Sequence, residues 1–298
     1  MSFRRSTSIP TASRRICIAL TAAILFVAGA CAPRVPVDRF VTANGVKLHY
    51  VDWGGSGQVL LFLTPLGASA REYDDLAPEF TDQFRVLGVT RRGQSPSERP
   101  PSGYDTTTLA DDVRGFLDAL RIDRATLVGY SVAGHELSLF AGQHPHRVQK
   151  LVYLDAAFDG ASTKKAADEL ARRFSFPPPP PPDDPILAAI VAGSEASDPD
   201  YSAITAPALA IYVIPDPGAY VTPPGVDESQ AREMWEKFGK PMLDREMAHF
   251  EREMKNRRVV KLDGTDHNRF LRDEKPRSIV LKEMRAFLID DADRTPTR

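Results

Sequence analysis

The sequence lacks several features that would indicate common functional classes. It holds two cysteines among 298 residues, Cys17 and Cys31, too few for a disulfide framework or a zinc site. Its net charge is −2, so no basic field indicates a nucleic-acid partner. It contains neither a glycine-rich phosphate loop followed by lysine nor a dinucleotide-binding fingerprint. These absences argue against nucleotide, zinc and nucleic-acid chemistry.

The sequence also lacks an apolar run long enough to span a membrane, and its longest apolar run lies near the N-terminus. Residues 16–28 (ICIALTAAILFVA) are too few for a comfortable membrane span, and four arginines without an acidic residue precede them. This pattern predicts that residues 1–30 form an export signal. Cys31 follows Ala-Gly-Ala and resembles the lipidated cysteine of a bacterial lipobox, while residues 13–15 (SRR) resemble a twin-arginine signal. We therefore expect a periplasmic protein or a membrane-anchored lipoprotein, which contacts the membrane through a lipid on Cys31.

The remaining residues, 31–298, are predicted to form one α/β domain. Strand-like runs alternate with amphipathic helical segments, which is typical of a mostly parallel sheet with helices on both faces. Asn44-Gly45 predicts an opening β-hairpin, and with it the sequence gives eight strands. The interval 157–205 has no strand pattern but contains helical segments and the run FPPPPPP. We interpret it as a small, helical, proline-rich lid inserted into the domain.

One short segment, GYSVAG (residues 129–134), indicates a catalytic serine. It follows the fifth predicted strand and precedes a helical segment, so Ser131 lies on a strand-to-helix turn at the positive end of a helix dipole. Small residues flank it, as a sharp turn requires. An ordinary strand-to-helix turn can contain a serine too, so the interpretation depends on whether a base and an acid are present.

A serine nucleophile needs a histidine base that is oriented by a carboxylate. For this architecture the chain order is serine, acid, histidine. His267 directly follows the last predicted strand, whereas His249 lies in a long charged helical segment, so His267 is the predicted base. Asp216, after the seventh strand, is the predicted acid. Asp155, at the end of the sixth strand, is the alternative and is otherwise a structural carboxylate.

These segments together resemble the α/β-hydrolase superfamily over about residues 40–290. The resemblance is carried by five segments, which are VTRRGQSPSERP, GYSVAGHELS, LVYLDAAF, PALAIYVIPD and GTDH. It implies the α/β-hydrolase fold with a lid, and a triad of Ser131, His267 and Asp216. It further implies an oxyanion hole made by the backbone N–H groups of Val132 and Leu66.

The sequence departs from the family pattern in the loop before Leu66. Thr64-Pro65 stands where His-Gly is usual, so Thr64 is expected to brace the loop by hydrogen bonding. Arg91 and Arg92 are expected to brace the same region. His135, four residues after the serine, either lines the pocket or has a structural role.

The nucleophile narrows the expected reaction. Epoxide hydrolases and haloalkane dehalogenases of this fold carry aspartate at the position of Ser131, so acyl transfer to water is expected instead. We predict a carboxylic ester hydrolase that acts on a small ester-like molecule and needs neither a cofactor nor a metal ion. The alternatives are aminopeptidase or C–C hydrolase activity on the same triad, and a catalytically weak binding or sensing protein that retained the fold.

Overall fold

The structure, a computed structural model, describes residues 35–174, 180–216 and 226–289. Its centre is one eight-stranded sheet with the strand order β1-β2-β4-β3-β5-β6-β7-β8. The strands are β1 Val37–Ala43, β2 Val46–Gly54, β3 Val59–Leu63, β4 Arg85–Val89, β5 Ala125–Tyr130, β6 Val148–Leu154, β7 Ala208–Ile214 and β8 Arg257–Asp263. The prediction of an eight-stranded, mostly parallel sheet is confirmed.

The antiparallel part of the sheet lies at the edge formed by the first two strands, β1 and β2. β1 pairs with β2 and β2 with β4 in antiparallel fashion. The five remaining pairs, from β4–β3 to β7–β8, are parallel. Asn44 and Gly45 connect β1 to β2 with φ angles of 49° and 74°. Both residues tolerate the left-handed region, which a two-residue hairpin turn requires.

Seven α-helices flank the sheet in the described residues. They are α1 Thr106–Ala119, α2 Ala133–Gln143, α3 Gly160–Phe174, α4 Pro185–Glu195, α5 Glu228–Met234, α6 Lys240–Glu253 and α7 Glu274–Leu288. Helices α1, α2 and α6 bury apolar side chains in one core, and α7 buries its own in a second core. Alternate residues of the central strands enter the two cores, so both faces of the sheet are covered.

Between β3 and β4, the segment SAREYDDLAPEF has a helical sequence pattern but a different structure. Residues 69–80 form two short 3₁₀ turns, Ala70–Tyr73 and Ala77–Phe80, instead of a continuous helix. Pro78 lies in the first turn of the second segment, where its missing N–H is tolerated. In a continuous helix through these residues Pro78 would remove an interior hydrogen bond.

The chain between β6 and β7 contains the two inserted helices, α3 and α4. They approach each other closely, because a Cβ atom placed on Gly160 would lie 1.8 Å from the carbonyl oxygen of Ser194. Part of the proline run, residues 176–179, and the predicted signal with Cys31 lie outside the described residues. Among the helices that are described, none has the length and apolar character needed to span a membrane.

Candidate active site

Ser131 lies on a strained turn between β5 and α2. Its φ angle is +58°, in the left-handed region that costs a residue with a side chain about 1–2 kcal/mol. Its N–H donates to the carbonyl of Leu154 at the end of β6 (3.3 Å), and its own carbonyl accepts from the N–H of Gly134 (3.0 Å). The turn therefore places the serine above the carboxyl end of the parallel strands.

A glycine on α2 allows the helix to approach the end of β6. A Cβ atom on Gly134 would lie 1.8 Å from the carbonyl oxygen of Ala156, so this position accepts no larger residue without movement of the backbone. In the parallel register of β5 and β6, Tyr130 pairs with Leu154. The residues that follow this pair are Ser131 and Asp155, and the register thus brings them to adjacent positions at the sheet edge.

Ser131, His267 and Asp155 form a hydrogen-bonded chain. The Oγ atom of Ser131 is 2.9 Å from Nε2 of His267, and Nδ1 of His267 is 2.6 Å from Oδ2 of Asp155. An ionised carboxylate can only accept, so Nδ1 carries the proton that is donated to Asp155. The unprotonated Nε2 then faces the serine hydroxyl, which is the tautomer that a general base requires.

Asp155 is fixed by the hydrogen bonds of the sheet. It is 5% exposed, and its φ angle is +46°. Its Oδ1 accepts from the backbone N–H of Val213 on β7 at 3.0 Å, and its own N–H donates to the carbonyl of Ile211 at 2.8 Å. Oδ1 therefore bonds to the backbone of the sheet, and Oδ2 bonds to His267 and orients its ring.

Asp216 does not occupy the position that we predicted for it. It lies two residues beyond the end of β7, is exposed and contributes to the electrostatic field at Arg232. Both ring nitrogens of His267 are occupied by Ser131 and Asp155. The prediction of Asp216 as the acid is therefore wrong in this geometry, and the alternative, Asp155, takes its place. The structural reason is the position of the two carboxylates: that of Asp155 contacts Nδ1 of His267, whereas Asp216 is exposed beyond the end of β7.

The residue before the serine positions the histidine loop. The Tyr130 hydroxyl donates to the backbone carbonyl of His267, and the two rings lie 5.2 Å apart. Burial raises the pKa of Tyr130 well above its ordinary value, so its hydroxyl stays protonated and remains a donor. Sequence reasoning did not identify this contact, although Tyr130 is part of the GYSVAG segment.

The loop that follows β3 is held by buried side chains from the chain after β4. Nη2 of Arg91 donates to the Thr64 carbonyl at 2.7 Å, and its backbone N–H donates to the Thr64 hydroxyl at 3.3 Å. Gln94 donates to the carbonyls of Pro65 (3.1 Å) and Ala68 (2.7 Å) and accepts from the N–H of Gly67 (2.8 Å). Thr64 and Arg91 thus brace the loop as expected, and Gln94 is a brace that sequence reasoning missed.

A buried ion pair connects this loop to α2. The guanidinium of Arg91 contacts the carboxylate of Glu136 through two bonds of 3.1 and 2.8 Å, and both side chains are buried. Arg92, in contrast, pairs with Asp112 on α1, so the expectation that it braces the same loop is wrong. Sequence reasoning missed Glu136 as the partner, because the sequence does not show that Arg91 is buried and needs a carboxylate.

The two amides predicted to stabilise an oxyanion lie next to one apolar cluster. Val132 precedes α2, where the first backbone N–H groups have no acceptor within the helix. The side chains of Leu66 and Val132 pack against the same cluster as Ile186 and Leu187 of α4. The inserted helix therefore covers the loop after β3 and the turn after β5 together.

A cavity of 230 Å³ opens over Ser131 and His267. Its walls come from the turn after β5, the end of β6 and the inserted helices, namely Ser131, Val132, His135, Asp155, Phe158, Gly160, Thr163, Lys164, Ala167, Ser194, Glu195 and His267. A second cleft of 560 Å³ lies beside it and shares His135 as a wall. The larger cleft does not contain the serine, so we assign the chemistry to the smaller cavity.

His135 is buried between the two spaces. It is 9% exposed, and burial lowers the pKa of its imidazole to about 4. The imidazole is therefore neutral near pH 7. Among the described residues, no cluster of histidine, cysteine, aspartate or glutamate is arranged to hold a metal ion.

Comparison with known proteins supports the identification of the fold. Residues 58–179 match the model of the alpha/beta hydrolase fold family. A soluble epoxide hydrolase of Corynebacterium sp. (strain C12) is 34% identical over 112 residues, which cover 38% of this chain and 39% of that protein. The chain thus spans about two fifths of the length of this curated relative.

Solved structures extend the likeness to most of the chain. The structure of E-2-(acetamidomethylene)succinate hydrolase has a TM-score of 0.62 at 21% identity and covers 86% of this chain and 100% of its own. An esterase from Exiguobacterium antarcticum has a TM-score of 0.61 at 17% identity, with 85% and 100% covered. The chain therefore has the α/β-hydrolase fold.

Proposed function

We propose that the protein is a serine hydrolase that cleaves carboxylic esters through an acyl-enzyme. The observation that carries this proposal is the continuous hydrogen-bonded chain from Ser131 through His267 to Asp155. A binding protein has no need for an imidazole that is hydrogen-bonded between a serine hydroxyl and a buried carboxylate. The names of the relatives, which include hydrolases and an esterase, support the same class of reaction.

Acylation follows from the positions of the three side chains. Oγ of Ser131 attacks the ester carbonyl carbon while Nε2 of His267 takes its proton. The imidazolium that forms is stabilised by the carboxylate of Asp155. His267 then gives the proton to the alkoxide as the C–O bond breaks, and the alcohol leaves. A water molecule, deprotonated by His267, hydrolyses the acyl-enzyme and releases the acid and the serine.

The oxyanion of each tetrahedral intermediate needs two donors. We assign them to the backbone N–H groups of Val132 and Leu66, which lie on the two loops that the apolar cluster of α4 brings together. Removal of one such donor costs about 3 kcal/mol of transition-state stabilisation in other enzymes. The hydrogen bonds from Arg91 and Gln94 to the Thr64-Pro65 loop support this assignment of the Leu66 donor.

The nucleophile also separates this protein from its epoxide hydrolase relative. The family resemblance implies an aspartate nucleophile in epoxide hydrolases, whose alkyl-enzyme ester is then hydrolysed. Ser131 would instead form an ether on opening an epoxide, and an ether is not hydrolysed by this machinery. Carbonyl substrates are therefore the ones that a Ser131 nucleophile can turn over.

The test is covalent labelling combined with hydrolysis. The purified protein, Ser131→Ala and His267→Ala are treated with a fluorophosphonate probe and assayed with p-nitrophenyl acetate, butyrate and octanoate. The parent should be labelled and should turn over, while both variants lose about a thousandfold or more in kcat. A parent that is neither labelled nor faster than its variants would favour the binding-protein alternative.

We also propose that the protein is exported from the bacterial cytoplasm by its N-terminal segment. Residues 1–30 are proposed as a signal and Cys31 as the lipidated first residue, which would place the enzyme in the periplasm or on a membrane. The mass of the N-terminal peptide of the protein isolated from bacterial membranes tests this. A diacylglyceryl-modified Cys31 supports it, and an unmodified Cys17 within an intact N-terminus contradicts it.

A further inference from the structure

The peptide group between Pro65 and Leu66 is held by two buried side chains. Its carbonyl oxygen accepts from Nη1 of Arg91 at 3.3 Å and from Nε2 of Gln94 at 3.1 Å. This peptide is trans, so it is planar and its C=O and N–H groups point in opposite directions. Bonds that fix the direction of the Pro65 carbonyl therefore also fix the direction of the Leu66 N–H, a proposed donor to the oxyanion.

The guanidinium of Arg91 is fully occupied by these and other acceptors. Nε and Nη2 donate to the two carboxylate oxygens of Glu136 at 3.1 and 2.8 Å, and Nη2 also donates to the Thr64 carbonyl at 2.7 Å. Nη1 donates to the Pro65 carbonyl and to Oε1 of Gln94, at 3.3 Å each. These five bonds use all five N–H groups of the guanidinium, so any rotation of the side chain would leave buried donors unpaired.

Glu136 connects the loop after β3 to the nucleophile. It lies on α2, five residues after Ser131 and four after Val132, whose N–H is the other proposed oxyanion donor. Through Glu136, Arg91 bonds to the first turns of α2, and through the backbone carbonyls it bonds to the loop that carries Leu66. One side chain therefore spans the two segments that supply the two donors.

Stability alone gives a weak reason for a buried ion pair at this place. Arg91 and Glu136 are each 5% exposed, and the lost hydration of two buried charges offsets most of their attraction. Burial raises the pKa of the Glu136 carboxyl, and the guanidinium of Arg91 opposes this increase. Apolar replacements of such pairs are often neutral or stabilising. The arrangement of the pair between the two donor segments therefore points to a role in positioning.

We propose that the Arg91–Glu136 ion pair sets the separation and direction of the Leu66 and Val132 N–H groups for the oxyanion. This inference rests on the proposed serine hydrolase function and adds two positioning residues to it. The described walls of the 230 Å³ cavity over Ser131 include neither side chain of the pair. The pair thus acts through the backbone and does not touch the substrate.

The reaction determines which kinetic constant should respond. When Oγ of Ser131 bonds to the ester carbonyl carbon, its proton moves to Nε2 of His267 and an electron pair of the C=O bond moves to the oxygen. The two N–H groups bond this charged oxygen more strongly than the carbonyl oxygen of the bound substrate. Misplaced donors should therefore lower kcat and leave KM nearly unchanged.

The test replaces a buried ion pair by apolar side chains. Arg91→Met/Glu136→Leu removes the pair without leaving a buried charge. The matched control is Arg92→Met/Asp112→Leu, which removes the neighbouring buried pair. Arg92 and Asp112 are 5% and 6% exposed, and Arg92 bonds to α1 instead of the loop after β3. Urea denaturation compares the stability of both variants with that of the parent, and the end point of fluorophosphonate labelling counts the active sites.

We expect Arg91→Met/Glu136→Leu to lower kcat for p-nitrophenyl butyrate by about 10- to 100-fold, because the loss of a whole donor costs about 10²- to 10³-fold. KM should stay within about twofold, since acylation and deacylation both form an oxyanion and slow together. The control variant should keep kcat within about twofold of the parent. A loss of stability alone would lower the number of active sites in both variants and leave kcat per site unchanged.

An inhibitor measures the oxyanion contacts without turnover. Ser131 adds to butyl trifluoromethyl ketone in the same way as to an ester, and the resulting hemiketal oxygen occupies the oxyanion site. The inhibition constant should rise in Arg91→Met/Glu136→Leu by about the same factor as kcat falls, and it should not change in the control. If the double variant does not fold, Arg91→Lys takes its place. Lysine has three donors and cannot reproduce the five bonds, so we expect about a tenfold loss of kcat.

The outcomes separate this inference from the function on which it rests. If the Arg91 variant keeps the kcat and the inhibition constant of the parent, the positioning role is overturned and the serine hydrolase stands. The same holds if the Arg91 and Arg92 variants lose kcat equally. If the parent neither hydrolyses the ester nor is labelled at Ser131 by the fluorophosphonate, the proposed function itself fails.

Discussion

Replacement of Asp155 by asparagine tests the geometry of the site most directly. The change conserves shape, and the asparagine carbonyl oxygen can still accept from the Val213 N–H at the position where Oδ1 now lies, 3.0 Å away. Its NH₂ group would then face Nδ1 of His267 and donate to it. This donation favours the tautomer with the proton on Nε2, which can no longer accept from Ser131.

The expected loss in kcat is about 10³- to 10⁴-fold, the size of effect that the wrong histidine tautomer has in a serine protease. This corresponds to about 4–5.5 kcal/mol of transition-state stabilisation. The free energy of unfolding should change by much less than in Asp155→Ala, which leaves the Val213 N–H without its acceptor. Initial rates with p-nitrophenyl butyrate and urea denaturation of both variants measure the two effects.

Asp216→Asn is the matched control. Asp216 is exposed, and both ring nitrogens of His267 are occupied by other residues, so kcat should stay within about twofold of the parent. A thousandfold loss of activity in Asp216→Asn, together with an active Asp155→Asn, would refute the assignment of Asp155 as the acid. That result would mean that the acid is recruited from the loop after β7 during turnover.

Three further predictions concern the turn and its surroundings. Ser131→Gly should have a free energy of unfolding about 1 kcal/mol higher than that of Ser131→Ala, because glycine accepts the φ of +58°. Equal midpoints of the two variants in urea denaturation would show that the turn is unstrained. Gly134→Ala places a Cβ atom 1.8 Å from a carbonyl oxygen, so we expect a loss of about 2–4 kcal/mol of stability and reduced labelling by fluorophosphonate; a parent-like Tm would contradict the close contact. The buried His135, with a pKa lowered to about 4 from 6.5, binds its proton more readily in the unfolded chain. Its contribution to stability is therefore complete above about pH 6.5 and is lost as the pH falls toward 4, so between pH 7 and 4.5 the parent should lose about 2–3 kcal/mol more than His135→Leu. Parallel pH profiles of the two proteins would exclude this role.

The order of elements was predictable because local signals agreed with one another. Asn44-Gly45 specifies its turn by backbone preference alone, and the apolar runs of the central strands fit only a sheet covered on both faces. The serine turn was predictable for the same reason, since GYSVAG combines a strand end, small residues and a helix start. His267 followed from its place after the last strand.

The acid was not predictable from its place in the chain. Asp155 and Asp216 each lie at or just beyond the carboxyl end of a strand, and local sequence does not show which carboxylate reaches His267. The choice depends on the register between β5 and β6, which pairs Tyr130 with Leu154 and so aligns Ser131 with Asp155. The Gln94 brace was missed for a similar reason, because its partners lie about 27 residues earlier in the chain.

Because Asp155 is hydrogen-bonded to β7, the proposed catalytic activity should depend on whether β6 and β7 stay paired. Its carboxylate is oriented by the Val213 N–H and its backbone by the Ile211 carbonyl, so the strands must remain paired for His267 to be aligned. Fluctuations that separate β6 from β7 would release the Val213 amide to exchange with solvent deuterium and would suspend catalysis at the same time. At denaturant concentrations below those that unfold the domain, the loss of activity should therefore parallel the loss of hydrogen-exchange protection at the Val213 amide.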